Sequence, residues 1–344
     1  MQRSLERYQV NCSHVPEVLD MVPDLSGQSM VLTGGTDGIG RALALMLASK
    51  GARLILCARS RTKALKLIDE LRDIDSTIEH QYLPLDLTSI QSCYEAVDWI
   101  KRQRITITRI FANAGIAAGS DALMPDGCPQ TFFVNHVAHQ ALCVGLMSSL
   151  CQDRDVRVIV QSSLAHHRAS CPSNYHGYFS GRHSLSTVYA DSKLANILMA
   201  KGLEHHASKL SISMRALVVH PGYLVTNINH DMVDQSYAQI LKNSVVGQLL
   251  PLLLRLGKDI GWVQPSAFSA ALPALHAAFA QRPFAFTGPQ GFMELYGLPG
   301  LAKLSQQAQS SDNATSLWAA TQHYLQAIST GLDKDTASAC TDGL

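Results

Sequence analysis

Short apolar runs recur along the chain, separated by longer segments that read as helices. Ser29–Thr33, Arg53–Ala58, Gln81–Asp86, Arg109–Ala112, Val156–Val160, Met214–Val219 and Phe284–Thr287 read as seven strands. Helices are expected at Arg41–Lys50, about Thr62–Arg72, Ser89–Arg104, about Cys128–Leu150, Ser184 to about Lys209, and near Pro265–Ala278. The strands are apolar on both faces, which indicates a parallel sheet covered by helices on both sides. The expectation is an α/β fold, a doubly wound seven-stranded parallel sheet in three layers, forming one domain over residues 28–330. Residues 1–27 are polar and irregular and read as an N-terminal extension packed on the outside. Residues 331–344 form a C-terminal tail. No linker and no internal repeat divides the chain.

Sheets of this kind bind ligands outside the carboxyl ends of their strands. Gly34, Arg59, Asp86, Asn113, Ser163 and Pro221 all fall at or just after expected strand ends. The turn Thr33-Gly-Gly-Thr-Asp-Gly-Ile-Gly40 joins the first strand to the first helix. Glycines there permit a tight turn and let backbone N–H groups approach a pyrophosphate, which the helix N-terminus stabilises. Gly34, Thr36, Asp37, Gly38, Ile39 and Gly40 are therefore candidate dinucleotide contacts. Arg59 stands where such folds usually place an acidic residue for the ribose hydroxyls; a cation there suits a 2′-phosphate and points to NADP(H). Arg61 and Lys63 either assist it or form a solvated helix start. Asp86 and Leu87 either meet the adenine, or Asp86 caps the next helix. Asn113-Ala-Gly115 leaves room for a cofactor or is an ordinary small-residue turn.

The long helix around Tyr189 carries Lys193 four residues on, so phenol and ammonium project from one face. A nearby cation favours the phenolate, and such a pair exchanges a proton with an alcohol or carbonyl oxygen. Read alone, the same spacing also fits a packed tyrosine and a solvated lysine. One hydroxyl of Ser162-Ser163 is placed to hydrogen-bond a substrate carbonyl. The adjacent His166 and His167 do not share a face, and His136 and His139 read as packed or solvated, so no metal site is expected.

Composition narrows the class. Of 344 residues, 47% are hydrophobic and 16% charged, which supplies a sizeable core. The net charge is +1 with dispersed Lys and Arg, against a nucleic-acid footprint. Eight scattered cysteines without a CxxC pair fit reduced thiols in a cytoplasmic setting. The N-terminus lacks the apolar core of a signal peptide, so the sequons at Asn11 and Asn313 read as idle. Val245–Leu254 is too short and broken to span a bilayer; it reads as the lining of an apolar pocket, with peripheral membrane contact as the alternative.

Gly34-x3-Gly38-Ile-Gly40, Asn113-Ala-Gly115, Ser163, Tyr189-x3-Lys193 and Pro221-Gly222 stand in the order found in the short-chain dehydrogenase/reductase family, which the chain resembles over roughly residues 28–290. Val134–His139, Ser162–His167, Ser192–Asn196 and His220-Pro-Gly222 with Thr226 look like the retinol dehydrogenase, WW-domain oxidoreductase and protochlorophyllide reductase group. The resemblance implies a Rossmann fold and an oxidoreductase in which Tyr189 is the acid/base and Lys193 lowers its pKa and holds the nicotinamide ribose. It further implies that Ser163 orients the substrate oxygen and Asn135 keeps a relay water near Lys193. Pro221, Gly222 and Thr226 would border the nicotinamide. The stretch Ile228 to Asp259, about 228–260, corresponds to the substrate-covering region, and its Leu and Val content implies a bulky apolar alcohol, ketone or enone. Homo-oligomers are common in the family. The chain departs from it at Ala112 and Ala138, where Asn and Gly are frequent.

Overall fold

The computed structural model describes residues 14–116, 122–170, 175, 179, 185–224 and 266–330. Its sheet has eight strands: β1 Ser29–Thr33, β2 Arg53–Ala58, β3 Gln81–Pro84, β4 Ile107–Ala112, β5 Arg157–Gln161, β6 Arg215–Val219, β7 Phe286–Pro289 and β8 Pro299–Leu301. Their order is β3-β2-β1-β4-β5-β6-β7-β8, all parallel except the antiparallel β7–β8 pair. The expected seven strands are present, and the eighth is a correction. Three residues, two of them Pro and Gly, give no alternation to read, and proline is tolerated because this strand lies at the edge.

Both faces of the sheet are buried, as the apolar strands require. In β1, Met30 and Leu32 enter one core and Val31 the other. The first core lies under helices α1 His14–Asp20, α2 Gly38–Ala48, α3 Arg61–Arg72 and α7 Ala267–Phe279. The second lies under α4 Ile90–Arg102, α5 Ala138–Leu146, α6 Leu185–Lys209 and the C-terminal α9 Ser311–Thr330, which follows the short α8 Gln306–Gln309. Two expectations change here. The N-terminal extension is not purely external, because Val15, Val18, Val22 and Leu25 are buried in the first core. The helix expected as continuous over 128–150 contains a π turn at Phe133–Val137, just before α5.

Two buried arginines anchor α7 at the opposite end of the sheet. Arg157 Nη1 donates to the carbonyls of Ala277 and Ala280, each at 2.9 Å, and Arg109 Nε to that of Ala278 at 2.8 Å. Arg157 Nη2 lies 2.6 Å and Arg109 Nη2 3.3 Å from Asp155. Cations at a helix C-terminus satisfy its last carbonyls and complement its dipole. Among the described residues, no helix is long and apolar enough to cross a membrane.

The strand order reverses between β1 and β4, and at such a point the crossover helices leave on opposite faces and open a crevice. Gly34 follows β1 and Asn113 follows β4, so the two candidate turns flank it.

Candidate active site

The glycine turn is built for close approach. Gly34 has φ +66°, and a Cβ there would lie 2.8 Å from Ala114 Cα. At Gly40 a Cβ would lie 2.1 Å from the Gly34 carbonyl oxygen and 2.7 Å from Asn113 Nδ2. Asn113 Nδ2 donates to the carbonyls of Thr33 at 3.0 Å and Gly34 at 3.4 Å, which ties the turns together. Asp37 caps α2, its Oδ1 accepting from Gly38 N at 2.8 Å. That carboxylate adds negative charge at the turn, and Lys63 Nζ, 3.7 Å away, offsets it. Thr36 and Ile39 are half-buried beside it, and Arg59 is exposed just past β2. A glycine cradle at a helix N-terminus with a cation at its rim fits a dinucleotide phosphate.

At the third strand Asp86 closes a local turn and is not itself the cap of the next helix. Asp86 Oδ1 accepts from Thr88 N at 2.9 Å and Thr88 Oγ1 at 2.8 Å, while Ser89 caps α4 and Leu87 is buried.

The chemical residues converge beyond β5. Ser163 caps the short 3-10 turn Leu164–Arg168, its Oγ accepting from Ala165 N at 3.2 Å. Ser163 also hydrogen-bonds the Tyr189 side chain. Lys193, one turn along α6, is buried, with Nζ 5.6 Å from the Tyr189 ring centroid and 3.3 Å from the Gln161 carbonyl oxygen. Burial dominates both titrations. It raises the Tyr189 phenol, against which the Ser163 hydroxyl acts, and it lowers the Lys193 ammonium to about 8. The Ser163 hydrogen bond opposes the rise that burial imposes on the phenol.

Asn135 sits in the π turn, fully buried. Its Oδ1 accepts from Ile116 N at 2.8 Å, and its Nδ2 donates to Ile116 O at 2.9 Å and Ser192 Oγ at 3.0 Å. These bonds tether the Asn113 turn to α6. A Cβ on Gly115 would lie 3.2 Å from Asn135 Oδ1 and 3.3 Å from Lys193 Nζ, so the bare backbone lets the turn lie against both.

Pro221 and Gly222 follow β6. Gly222 has φ +74°, and a Cβ there would lie 2.4 Å from the Leu295 carbonyl oxygen. Thr226 and the 228–259 stretch lie outside the described residues.

Several bonds that shape the site were not legible in the sequence, although His166 and His220 stand in strings noted above. Buried His220 accepts from Gly222 N at 3.3 Å through Nδ1 and meets Glu294 Oε2 at 3.1 Å through Nε2. His166 Nδ1 donates to the Ser163 carbonyl at 2.8 Å, and its Nε2 accepts from Ser305 N at 3.2 Å. Asp191 accepts from Ser170 N at 2.7 Å. Each bond joins residues far apart in sequence or depends on a turn, so spacing could not reveal it; the only hint was a polar residue within an apolar run.

The short chain dehydrogenase family model matches residues 28–236. The short chain dehydrogenase/reductase dpchH of Colletotrichum higginsianum is 31% identical over 60% of this chain and 56% of its own length, so the chain spans little more than half of that relative. The human WW domain-containing oxidoreductase is 26% identical over 88% of this chain and 69% of its own. Among solved structures, an uncharacterised protein from Mycobacterium paratuberculosis superposes with a TM-score of 0.68 at 25% identity, covering 90% of this chain and 97% of that one. The fold, the ordered motifs and the family match lead to one conclusion: the chain belongs to the short-chain dehydrogenase/reductase family, oxidoreductases that use nicotinamide cofactors.

Proposed function

We propose that the protein is an NADP(H)-dependent oxidoreductase that interconverts a carbonyl and an alcohol on a bulky apolar substrate. The observation that carries this reading is the convergence of Ser163, Tyr189 and Lys193 beside the Asn113 turn at the crevice. Gly34, Gly38, Gly40 and Asn113 would hold the cofactor backbone, with Thr36, Asp37 and Ile39 at its edge. Arg59 would meet the 2′-phosphate. Gly115, Lys193, Pro221 and Gly222 would border the nicotinamide end. The bound cofactor supplies the hydride.

The protein's own groups handle the proton. Tyr189 Oη gives a proton to the substrate oxygen on reduction and takes it on oxidation, a role worth roughly 10²–10⁴ in rate. Ser163 orients that oxygen and, by bonding to the phenol, eases its ionisation. Lys193 places positive charge on the same side of the ring.

Reduction of a carbon–carbon double bond, with the tyrosine protonating carbon, uses the same groups. A cofactor-sensing protein without turnover is a rival from another class, and the joined serine and tyrosine weigh against it because sensing needs no acid. The test is NADPH consumption across a panel of apolar ketones and enones, with product identification. An alcohol product is expected. A saturated ketone from an enone would move the reading to double-bond reduction, and tight NADPH binding with no turnover would move it to sensing. Activity confined to small hydrophilic carbonyls would remove the apolar substrate class. Arg59→Asp is expected to shift preference from NADP toward NAD by roughly ten- to a hundredfold, since hydrogen bonds to a charged group are worth about 1.5–3 kcal/mol. Unchanged selectivity would take Arg59 out of that role.

A further inference from the structure

Thr33 Oγ1, at the end of β1, is a meeting point of four groups. It lies 3.0 Å from Asn113 N, 3.0 Å from Ala114 N, 3.3 Å from the Phe111 carbonyl oxygen and 3.0 Å from His139 Nε2. A hydroxyl has one proton and two acceptor positions. The two amides only donate and fill both acceptor positions. The proton is left for either Phe111 or the imidazole.

The other end of the ring decides. His139 Nδ1 lies 3.0 Å from the Val134 carbonyl oxygen, which only accepts, so Nδ1 carries the ring hydrogen. Nε2 is then an acceptor, and it is the nearer of the two. Burial, with Lys193 nearby as a smaller cause, lowers the His139 pKa to about 4 and keeps the ring neutral at ordinary pH.

The π turn completes the arrangement. Ala138 N bonds back to the Phe133 carbonyl, and the widened turn carries both Asn135 and His139 to buried positions. Asn135 holds Ile116 directly, and His139 reaches Asn113 and Ala114 through Thr33. The π turn, through Asn135, and the first turn of α5, through His139, therefore pin the two ends of the 113–116 segment. Such π turns occur often at functional sites.

We propose that His139 is a positioning residue for cofactor binding: as the Nδ1–H tautomer it accepts the Thr33 hydroxyl hydrogen bond and so fixes the orientation in which both lone pairs of that oxygen hold Asn113 and Ala114 against the glycine turn. The tolerance there is small, because Gly34 already needs to be glycine to clear Ala114. The inference rests on the cofactor reading above.

The test compares four single variants and one double variant of the full chain by NADPH affinity and by hydrogen exchange at the Asn113 and Ala114 amides. His139→Gln restores a donor and an acceptor at similar separation and is expected to bind NADPH within about threefold of wild type. His139→Asn is too short to reach both partners. It, His139→Phe and Thr33→Val are each expected to bind roughly tenfold more weakly and to exchange faster at both amides, the scale of one buried polar group left unpaired. Adding His139→Asn to Thr33→Val is expected to have no further effect on either readout. If His139→Phe does not fold, the contrast between the Asn and Gln variants carries the same prediction. Wild-type affinity and exchange in His139→Asn would overturn the role of His139, as would additive losses in the double variant. A wild-type protein that binds neither NADPH nor NADH would instead overturn the cofactor reading itself.

Discussion

At the scale of single residues, the site sets chemistry against stability. Lys193 is buried, and its pKa lies near 8 instead of its ordinary 10.5. Between those values the unfolded chain holds a proton that the native protein has released, so stability rises with pH across that window and the penalty is fully present below it. The shift is worth about 3 kcal/mol. Lys193→Met is therefore expected to raise Tm at neutral pH, to lose that advantage above about pH 10.5, and to abolish turnover. Thermal unfolding across pH checks it; a Tm that falls at pH 7 would mean that the ammonium is net stabilising. Ser163 lowers the phenol, so Ser163→Ala is expected to move the acidic limb of the alcohol-oxidation pH profile upward, besides reducing kcat by roughly 10²-fold or more. An unmoved limb would separate Ser163 from the titration of Tyr189.

At the scale of elements, what was legible and what was not divides by range. The strands and their ligand-bearing ends could be read, because a parallel strand must be apolar on both faces and its carboxyl end is where turns meet ligands. Gly34, Asn113, Ser163 and Pro221 were found that way. The π turn was not, since a shift from i+4 to i+5 bonding leaves no mark in residue spacing. Asn135 was named from resemblance, yet its bonds to Ile116 depend on that turn. Helix α9 carries Leu317, buried in the second core, and was not identified because its value lies in packing on α6, where a Cβ on Gly202 would meet the Trp318 ring at 2.2 Å. Leu317→Ala is expected to destabilise by about 2–5 kcal/mol, measured by denaturant unfolding. At the glycine turn, Gly40→Ala is expected to weaken cofactor binding by more than roughly tenfold, because the added carbon meets backbone that cannot yield. Wild-type affinity in that variant would mean that the turn adjusts.

At the scale of the whole molecule, buried histidines hold the parts together. His136 joins the π turn to α9 through Thr321 at 3.0 Å, His139 joins the first turn of α5 to β1, and His166 joins the Ser163 turn to Ser305. Burial lowers their pKa values to about 3, about 4 and about 4 from an ordinary 6.5. Below 6.5 the unfolded chain takes up protons that the native fold refuses, so stability falls as pH drops from 6.5 toward 4. Acid unfolding is expected within that window, and a His136→Phe protein should lose less stability across it than wild type; an identical loss would remove His136 from the cause. These cross-links were invisible in the sequence because each joins distant segments, whereas the motifs at strand ends are local. They hold in place a site whose work depends on one phenol. The decisive measurement is turnover and NADPH affinity in Tyr189→Phe against wild type, using any ketone the wild type reduces. Loss of turnover by at least roughly 10²-fold with affinity nearly unchanged is expected. Retention of most of the wild-type rate would contradict proton transfer by Tyr189.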